Sequence, residues 1–103
     1  MIIFTELLER AKSEKIVVHT QTEKQAKALL SELDKNEFKW CGGDKLTTET
    51  CYEDYKENTC YDFSIDTDGN LVYKKVMFGA LIFYQDQGYT IIEFTDIDFS
   101  EKN

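Results

Sequence analysis

The apolar residues at the start of the chain recur first with helical and then with strand-like spacing. Between residues 4 and 13 they fall at i, i+3, i+4 and i+7, which predicts a helix over residues 4–13. The members of this stripe are Phe4, Leu7, Leu8 and Ala11. Residues 15–20, KIVVHT, are rich in β-branched side chains and largely apolar on both faces. We predict a central strand there, because a strand that is covered on both faces has this pattern.

A second helix is predicted from the segment HTQTEKQAKALLSELDKN. Thr20 and Glu23 have the spacing of a capping box, and Thr22 with Gln25 offers the same box further along. Asn36 is the expected left-handed residue at the end of this helix. The stripe predicted to be buried consists of Ala26, Leu29, Leu30 and Leu33.

The pattern then changes to a short strand and a polar segment. A strand over residues 38–40 follows the helix, and the order strand–helix–strand indicates a right-handed crossover. Gly42 and Gly43 break this strand. Residues 47–58 are polar and rich in tyrosine, and we predict a short helix there that is capped by Thr48.

The next stretch is typical of a β-hairpin. Residues 60–65, CYDFSI, alternate between two faces, as strand residues do. The dipeptide Asp68-Gly69 is a strong signal for a hairpin turn. Residues 71–76, LVYKKV, then supply the partner strand.

The last third of the chain predicts one more helix and one more strand. The run MFGALIFYQDQG, residues 77–88, suits either a helix or a strand. We favour a short helix over residues 80–87 that ends at Gly88. Residues 89–95, YTIIEFT, are predicted to form a strand. We expect the tail, residues 98–103, to fray.

These elements predict one α/β or α+β domain that spans residues 1–103. Its mixed sheet would have four or five strands, with the helices packed mainly on one face. A chain of 103 residues, 42% of them hydrophobic, suits a single small domain with a modest core.

Charge is distributed unevenly along the chain, whose formal net charge is −8. Residues 1–40 hold seven acids and seven bases, whereas residues 41–103 hold thirteen acids, five bases and all six tyrosines. Repulsion from phosphate groups argues against direct binding to a nucleic-acid backbone. An acidic, tyrosine-rich surface suits a basic protein partner, whose approach it would steer. The alternative is that acidity only keeps a small protein soluble.

The chain has no pattern typical of membrane insertion or export. Its longest apolar run, Val76 to Tyr84, has nine residues, far fewer than the ~20 that a membrane-spanning helix needs. The N-terminus, MIIFTELLER, reaches an acidic residue at position 6 and has no basic segment, unlike a signal peptide. We expect a cytoplasmic protein in a bacterial host cell, with reduced cysteines.

The stretch FKWCGGDK, residues 38–45, is similar to two chemical motifs but completes neither. A thioredoxin-type site needs a second cysteine to resolve the first, and Asp44 occupies its place. A phosphate-binding loop needs a hydroxyl residue after its lysine, and Leu46 stands there instead. A turn that contains glycine is therefore the favoured interpretation.

Metal and nucleophile sites are not indicated by the remaining residues. The three cysteines are spaced by ten and nine residues, whereas zinc sites usually contain a closer pair. A calcium loop aligned on Gly69 would place Lys75 where a bidentate glutamate is needed. His19 could pair with Cys60 or Cys41, but a lone histidine in a strand is more often structural. We expect no catalytic residue, metal ion or cofactor, and a protein that is not an enzyme.

Three segments carry a family resemblance, namely EKQAKALLSELDKNEFKWCGG, ENTCY and QGYTIIEF. Their order resembles small uncharacterised accessory proteins of bacteriophages and prophages of Gram-positive bacteria, in which they recur as EEAKELLKELDKNGYKW, NTCY and GYKIIEF. The resemblance covers about residues 15–97, and the helix predicted over residues 4–13 is an addition. It implies a phage accessory protein, many of which act against host defence, and it assigns no functional residue.

Binding is the function predicted on these grounds. We expect a non-catalytic phage or mobile-element protein that inhibits a host defence factor in an anti-CRISPR-like manner, by placing an acidic surface in a basic nucleic-acid groove. The residues expected to contact the partner are Trp40, Asp44, Tyr52, Glu53, Asp54, Tyr55 and Glu57. Direct contact with nucleic acid or membrane is not expected, and a homodimer through an exposed strand edge is an open alternative.

The alternative function is a small-ligand binder that sequesters a nucleotide used as a defence signal. The residues expected to bind such a ligand are Trp40, Gly42, Gly43 and Lys45. The net acidity opposes this function unless Lys45, Lys74 and Lys75 converge.

Overall fold

Helices and strands alternate along most of the chain, and a computed structural model describes residues 1–100. In chain order the elements are β1 (Ile2–Ile3), α1 (Phe4–Arg10), β2 (Ile16–Thr20), α2 (Glu23–Lys35), β3 (Lys39–Trp40), β4 (Thr59–Asp68), β5 (Leu71–Ala80), α3 (Leu81–Asp86), β6 (Thr90–Glu93) and β7 (Ile97–Asp98). The predicted α+β class with a mixed sheet is confirmed. Of the tail expected to fray, residues 101–103 lie outside the described part of the chain.

Five strands form one mixed sheet in the order β3-β5-β4-β2-β6. β4 pairs antiparallel with β2 and β5, whereas β2 pairs parallel with β6, and β3 with β5. β2 is central, as predicted, and all five of its residues are buried. β1 and β7 form a separate parallel pair that was not predicted, because strands of two residues are too short to show a period.

The helices cover both faces of the sheet, but unequally. The larger core lies between the sheet and helices α1 and α2, and its buried members include Leu7, Val18, Leu33, Phe38, Tyr61, Phe63 and Val76. On the other face, the short helix α3 places Tyr84 against Val17 and Cys60. Gly79 makes this approach feasible, because a Cβ at that position would meet a ring carbon of Tyr84 at 3.1 Å.

Helix α2 begins as predicted but ends differently. Thr22 caps it by accepting a hydrogen bond from the Gln25 N–H at 3.1 Å. Asn36 was predicted to be left-handed, but its φ is −99°, and Glu37, with a φ of 70°, takes that conformation. Phe38 N–H then donates to the Leu33 carbonyl, and Glu37 N–H to the Asp34 carbonyl. These two bonds form a Schellman motif, whose left-handed residue is the one after the C-cap.

The other helices are shorter than the sequence pattern suggests. α1 ends at Arg10 rather than at residue 13, and residues 11–13 continue only as turns. α3 lies within the predicted range 80–87, and Gly88 is left-handed after it, with a φ of 79°. The ambiguous run that precedes α3 belongs to β5, which continues to Ala80.

The packing of α2 gives a stability test. Leu33→Ala should lower the free energy of unfolding by about 2–5 kcal/mol, because the side chain is fully buried and its removal leaves a cavity. Leu71→Ala is the matched control, since Leu71 is 58% exposed and should change stability by about 0.5 kcal/mol or less. Chemical denaturation measures both values. Equal losses in the two variants would contradict this account of the core.

Candidate functional site

Residues 41–58 join β3 to β4, and the later part of this segment, residues 46–58, is named the acidic loop here. It was predicted to contain a helix capped by Thr48, and that prediction is wrong. The loop contains three separate 3-10 turns, at Leu46–Thr48, Tyr52–Asp54 and Lys56–Asn58. Cys51 and Lys56 have φ values of 58° and 49°, and left-handed residues of this kind interrupt a right-handed helix.

Side chains anchor the acidic loop to the rest of the fold. Leu46 is fully buried in the larger core. The Tyr52 hydroxyl donates to the Gln21 carbonyl at 2.7 Å, ahead of α2. The Tyr61 hydroxyl donates to the Thr50 carbonyl at 2.6 Å. Burial raises the pKa of Tyr61 above its usual value, so this phenol keeps its proton and remains a donor.

His19, in β2, anchors the end of the acidic loop through a hydrogen bond. Its Nδ1 lies 2.8 Å from Glu93 Oε1, and its Nε2 lies 2.7 Å from the Glu57 carbonyl oxygen. The imidazole is buried, and each of its two nitrogens lies within hydrogen-bond distance of an oxygen atom. His19 is therefore a structural residue, as its position in a strand suggested.

Four carboxylates of the acidic loop lie exposed on its outer surface. They belong to Glu49, Glu53, Asp54 and Glu57. None of them forms an ion pair with another group in residues 1–100. The loop therefore presents concentrated negative charge that its own fold leaves without a cationic partner.

Two clefts flank the acidic loop, and Asp54 lines both. The threonine cleft, of about 540 Å³, lies between the loop and α2, and its lining includes Glu23, Lys27, Thr48, Thr50, Tyr52 and Glu53. The tyrosine cleft, of about 410 Å³, lies between the loop and α3, and its lining includes Tyr55, Asn58, Leu81, Ile82 and Gln85. The turn at Tyr52–Asp54 thus forms a ridge between two depressions.

The structure brings most of the predicted contact residues together on the acidic loop. Tyr52, Glu53 and Asp54 line the threonine cleft. Tyr55 lines the tyrosine cleft, and its side chain is 41% exposed. Glu57 is exposed at the end of the same loop.

Trp40 and Asp44 do not belong to the acidic loop. Asp44 is exposed in the turn before the acidic loop. Trp40 is only 9% exposed, and its ring packs 6.1 Å from Phe78 and 6.3 Å from Tyr61 between centroids. Most of the Trp40 ring therefore belongs to the core, so that little of its side chain is accessible to a partner.

The residues predicted to bind a small ligand are only partly together. Trp40, Gly42 and Gly43 line a third cleft, of about 370 Å³. Lys45 is not among its lining residues, and its Nζ lies 3.8 Å from Asp34 Oδ2 instead. We name this third depression the lysine cleft, because its bases are Lys39, Lys74 and Lys75.

Pairing of β2 with β4 places Cys60 directly beside His19, but not as a nucleophile and its base. Cys60 is fully buried, and burial raises the pKa of its thiol to about 12. A thiol with that pKa holds almost no thiolate near neutral pH. Both nitrogens of His19 are also engaged elsewhere. The geometry therefore does not support cysteine catalysis at this pair.

Sequence reasoning missed the contribution of α3 to this surface. Ile82 and Phe83 are 64% and 55% exposed, and Ile82 shares the tyrosine cleft with Tyr55. A signal was present, since residues 81–84 are four consecutive apolar residues, and a helix cannot bury four consecutive positions on one face.

Comparison of the chain with models of protein families, with curated proteins and with solved structures found no match. Within residues 1–100, no group of three or more His, Cys, Asp or Glu side chains is placed to hold a metal ion. No helix in this described part is long and apolar enough to cross a membrane.

The three cysteines should differ in reactivity. In native protein at about pH 8, iodoacetamide should modify the exposed Cys41 first, because alkylation requires access and thiolate. Cys51 should react more slowly, since it is half-buried and both burial and the nearby carboxylates raise its pKa. Cys60 should react only after unfolding. Peptide mass spectrometry over time checks the order, and modification of Cys60 at the rate of Cys41 would contradict it.

Loss of the His19 bridge should destabilise the fold and loosen the acidic loop. His19→Leu should cost about 2–3 kcal/mol, because it leaves a carboxylate and a carbonyl without their donor. Glu93→Gln should cost less, since its amide oxygen still accepts from Nδ1. Denaturation gives the energies, and amide exchange at residues 55–58 reports on the loop. A His19→Leu variant with unchanged stability and exchange would refute the anchoring role.

Proposed function

We propose that the protein is a non-catalytic binding protein whose acidic loop contacts a basic region of another protein. The observation that carries this proposal is the group of four exposed carboxylates without ion-pair partners in residues 1–100, held on an anchored loop. A folded protein gains no stability from such a cluster, since like charges in proximity repel one another. A cationic partner would remove that repulsion on binding.

Apolar side chains beside the carboxylates support a protein partner rather than a small cation. Tyr55, Ile82 and Phe83 are 41–64% exposed, and the tyrosine cleft joins the first two to Asp54. Protein interfaces typically combine a desolvated centre, rich in aromatic residues, with a polar rim. Here the apolar residues would form the centre and the acids of the loop the rim.

The two clefts suggest how a basic partner would be bound. The threonine cleft contains four acids, Glu23, Glu49, Glu53 and Asp54, and one base, Lys27. Its three threonines, Thr47, Thr48 and Thr50, add polar groups that can bind a cationic side chain. An arginine or lysine that enters between the loop and α2 would meet these carboxylates, while the partner's apolar groups cover Tyr55.

The class of partner we infer is a host defence factor that binds nucleic acid. This part of the proposal depends on the resemblance to phage accessory proteins, together with the charge of the loop. A groove built for phosphates is lined by lysine and arginine, and a fixed set of carboxylates can occupy it in competition with nucleic acid. Inhibition would then arise from occupancy alone, without chemistry.

A capture experiment with a charge variant tests this function. Tagged protein is incubated with a lysate of a Gram-positive bacterium at low and high ionic strength. We expect enrichment of basic nucleic-acid-binding proteins that falls at high salt, because salt screens exposed charges. Glu53→Gln with Asp54→Asn should reduce that enrichment at least about tenfold, since it removes about 1.4 kcal/mol or more of attraction.

The matched control is Asp66→Asn with Asp68→Asn, which removes the same charge from the end of β4 and leaves the turn residues Gly69 and Asn70 unchanged. This control variant should capture the same proteins as the unaltered protein does. Added nucleic acid should compete with the control variant and with the unaltered protein for those captured proteins. Equal loss in the control would show that net charge alone acts. Binding that is insensitive to salt and to nucleic acid would refute the proposed mode.

A further inference from the structure

The lysine cleft is a basic site in an acidic protein. Of its ten lining residues, three are lysines and one, Glu37, is an acid, whereas the whole chain has a net charge of −8. None of these lysines forms an ion pair within residues 1–100. None of the ten residues lines either cleft beside the acidic loop, so the lysine cleft is separate from the proposed partner surface.

Two of the lysines stand side by side at a cost to stability. Lys39 of β3 and Lys75 of β5 are direct partners in the parallel pairing of these strands. Like charges at directly opposed positions of a sheet repel each other. The ammonium of Lys75 lies 5.6 Å from the centre of the Tyr73 ring, and the ammonium of Lys39 has no hydrogen-bond or ion-pair partner within residues 1–100. Neither charge is neutralised by the fold.

The third lysine has a structural task. Lys74 Nζ donates to the Asn36 carbonyl at 3.1 Å, at the C-terminal end of α2, and lies over the Phe38 ring. A cation at that end of a helix is favourable. The ammonium of Lys74 is therefore already engaged, whereas those of Lys39 and Lys75 have donors to spare.

We propose that the lysine cleft binds the phosphate group of a small nucleotide. Lys39 and Lys75 would hold the phosphate by charge-assisted hydrogen bonds. The N–H of Gly42, which has no partner within residues 1–100, is a further donor at the turn. Tyr73, which is 41% exposed, supplies an aromatic face against which a base can stack.

Size and charge favour a small anion over a nucleic-acid chain. The cleft has about 370 Å³, near the lower end of the range for small-molecule sites. A long polyanion would extend beyond the cleft and meet the net negative charge of the rest of the protein. A mononucleotide places its charge only where the lysines are.

Binding of three probes to the full chain tests the site by nuclear magnetic resonance titration at low ionic strength. AMP should shift the amide signals of Gly42, Tyr73 and Lys75. Inorganic phosphate should shift Gly42 and Lys75 with weaker affinity, and adenosine should bind far more weakly than AMP. Lys39→Gln with Lys75→Gln should weaken AMP binding at least about tenfold. The control, Lys12→Gln with Lys24→Gln, removes two exposed lysines outside the cleft. It should leave the affinity for AMP unchanged.

Folding of the cleft variant is checked by melting, and we expect it to be at least as stable as the unaltered protein because the repulsion is gone. Tyr73→Leu is a second variant, which should weaken binding of AMP but not of phosphate. Absence of AMP binding, adenosine that binds as tightly as AMP, or AMP affinity unchanged in the lysine variant would each overturn the proposal. Equal affinity for phosphate and AMP would overturn the assignment to a nucleotide. None of these outcomes bears on the acidic loop.

Discussion

The buried imidazole of His19 joins three parts of the chain that are far apart in sequence. It lies in the central strand β2, bonds a carboxylate of β6 with one nitrogen and donates to the Glu57 carbonyl at the end of the acidic loop with the other. Buried polar groups must be paired, because an unpaired one costs more than its hydrogen bond would contribute. The position of Glu57 is therefore coupled to the register between β2 and β6, in which His19 and Glu93 are direct partners.

This coupling explains how an irregular loop holds a defined surface. The acidic loop has no long helix or strand of its own, and repulsion among its carboxylates would favour extended conformations. The loop is held in place by Leu46 in the core, by the hydroxyls of Tyr52 and Tyr61, and by His19 at its end. Two of these four anchors, those of Tyr61 and His19, bond to backbone carbonyls of the loop itself, so they fix the path of its main chain and leave the outward carboxylates free for contacts.

The sequence predicted the elements whose signals are local. β2 and α2 follow from periodicity within a few turns, and the Thr22 cap follows from a four-residue motif. The left-handed residue at the end of α2 was placed one position early, because Asn36 favours that conformation intrinsically, whereas the Schellman bonds of Phe38 and Glu37 require it at Glu37. Propensity was outweighed there by hydrogen bonding.

The candidate sites depended on pairings that no local pattern contains. Trp40 resembled an exposed contact because it adjoins a polar turn, but pairing with β5 directs it into the core beside Phe78. The same pairing sets Lys39 beside Lys75, which are 36 residues apart in the chain. Tyr55 and Ile82 line the same cleft only because α3 packs beside the acidic loop. Acidity and tyrosine content indicated the kind of surface, and strand order determined which residues form it.

The small sheet of β1 and β7 has a consequence for the order of folding. Ile2 and Ile3 pair with Ile97 and Asp98, and Phe4 stacks on Phe99. Helix α1, which directly follows β1, therefore lacks part of its packing until residues 97–99 are available. During synthesis, Ile2 and Ile3 leave the ribosome long before the residues with which they pair. Contacts over such a separation also raise the contact order, which slows folding.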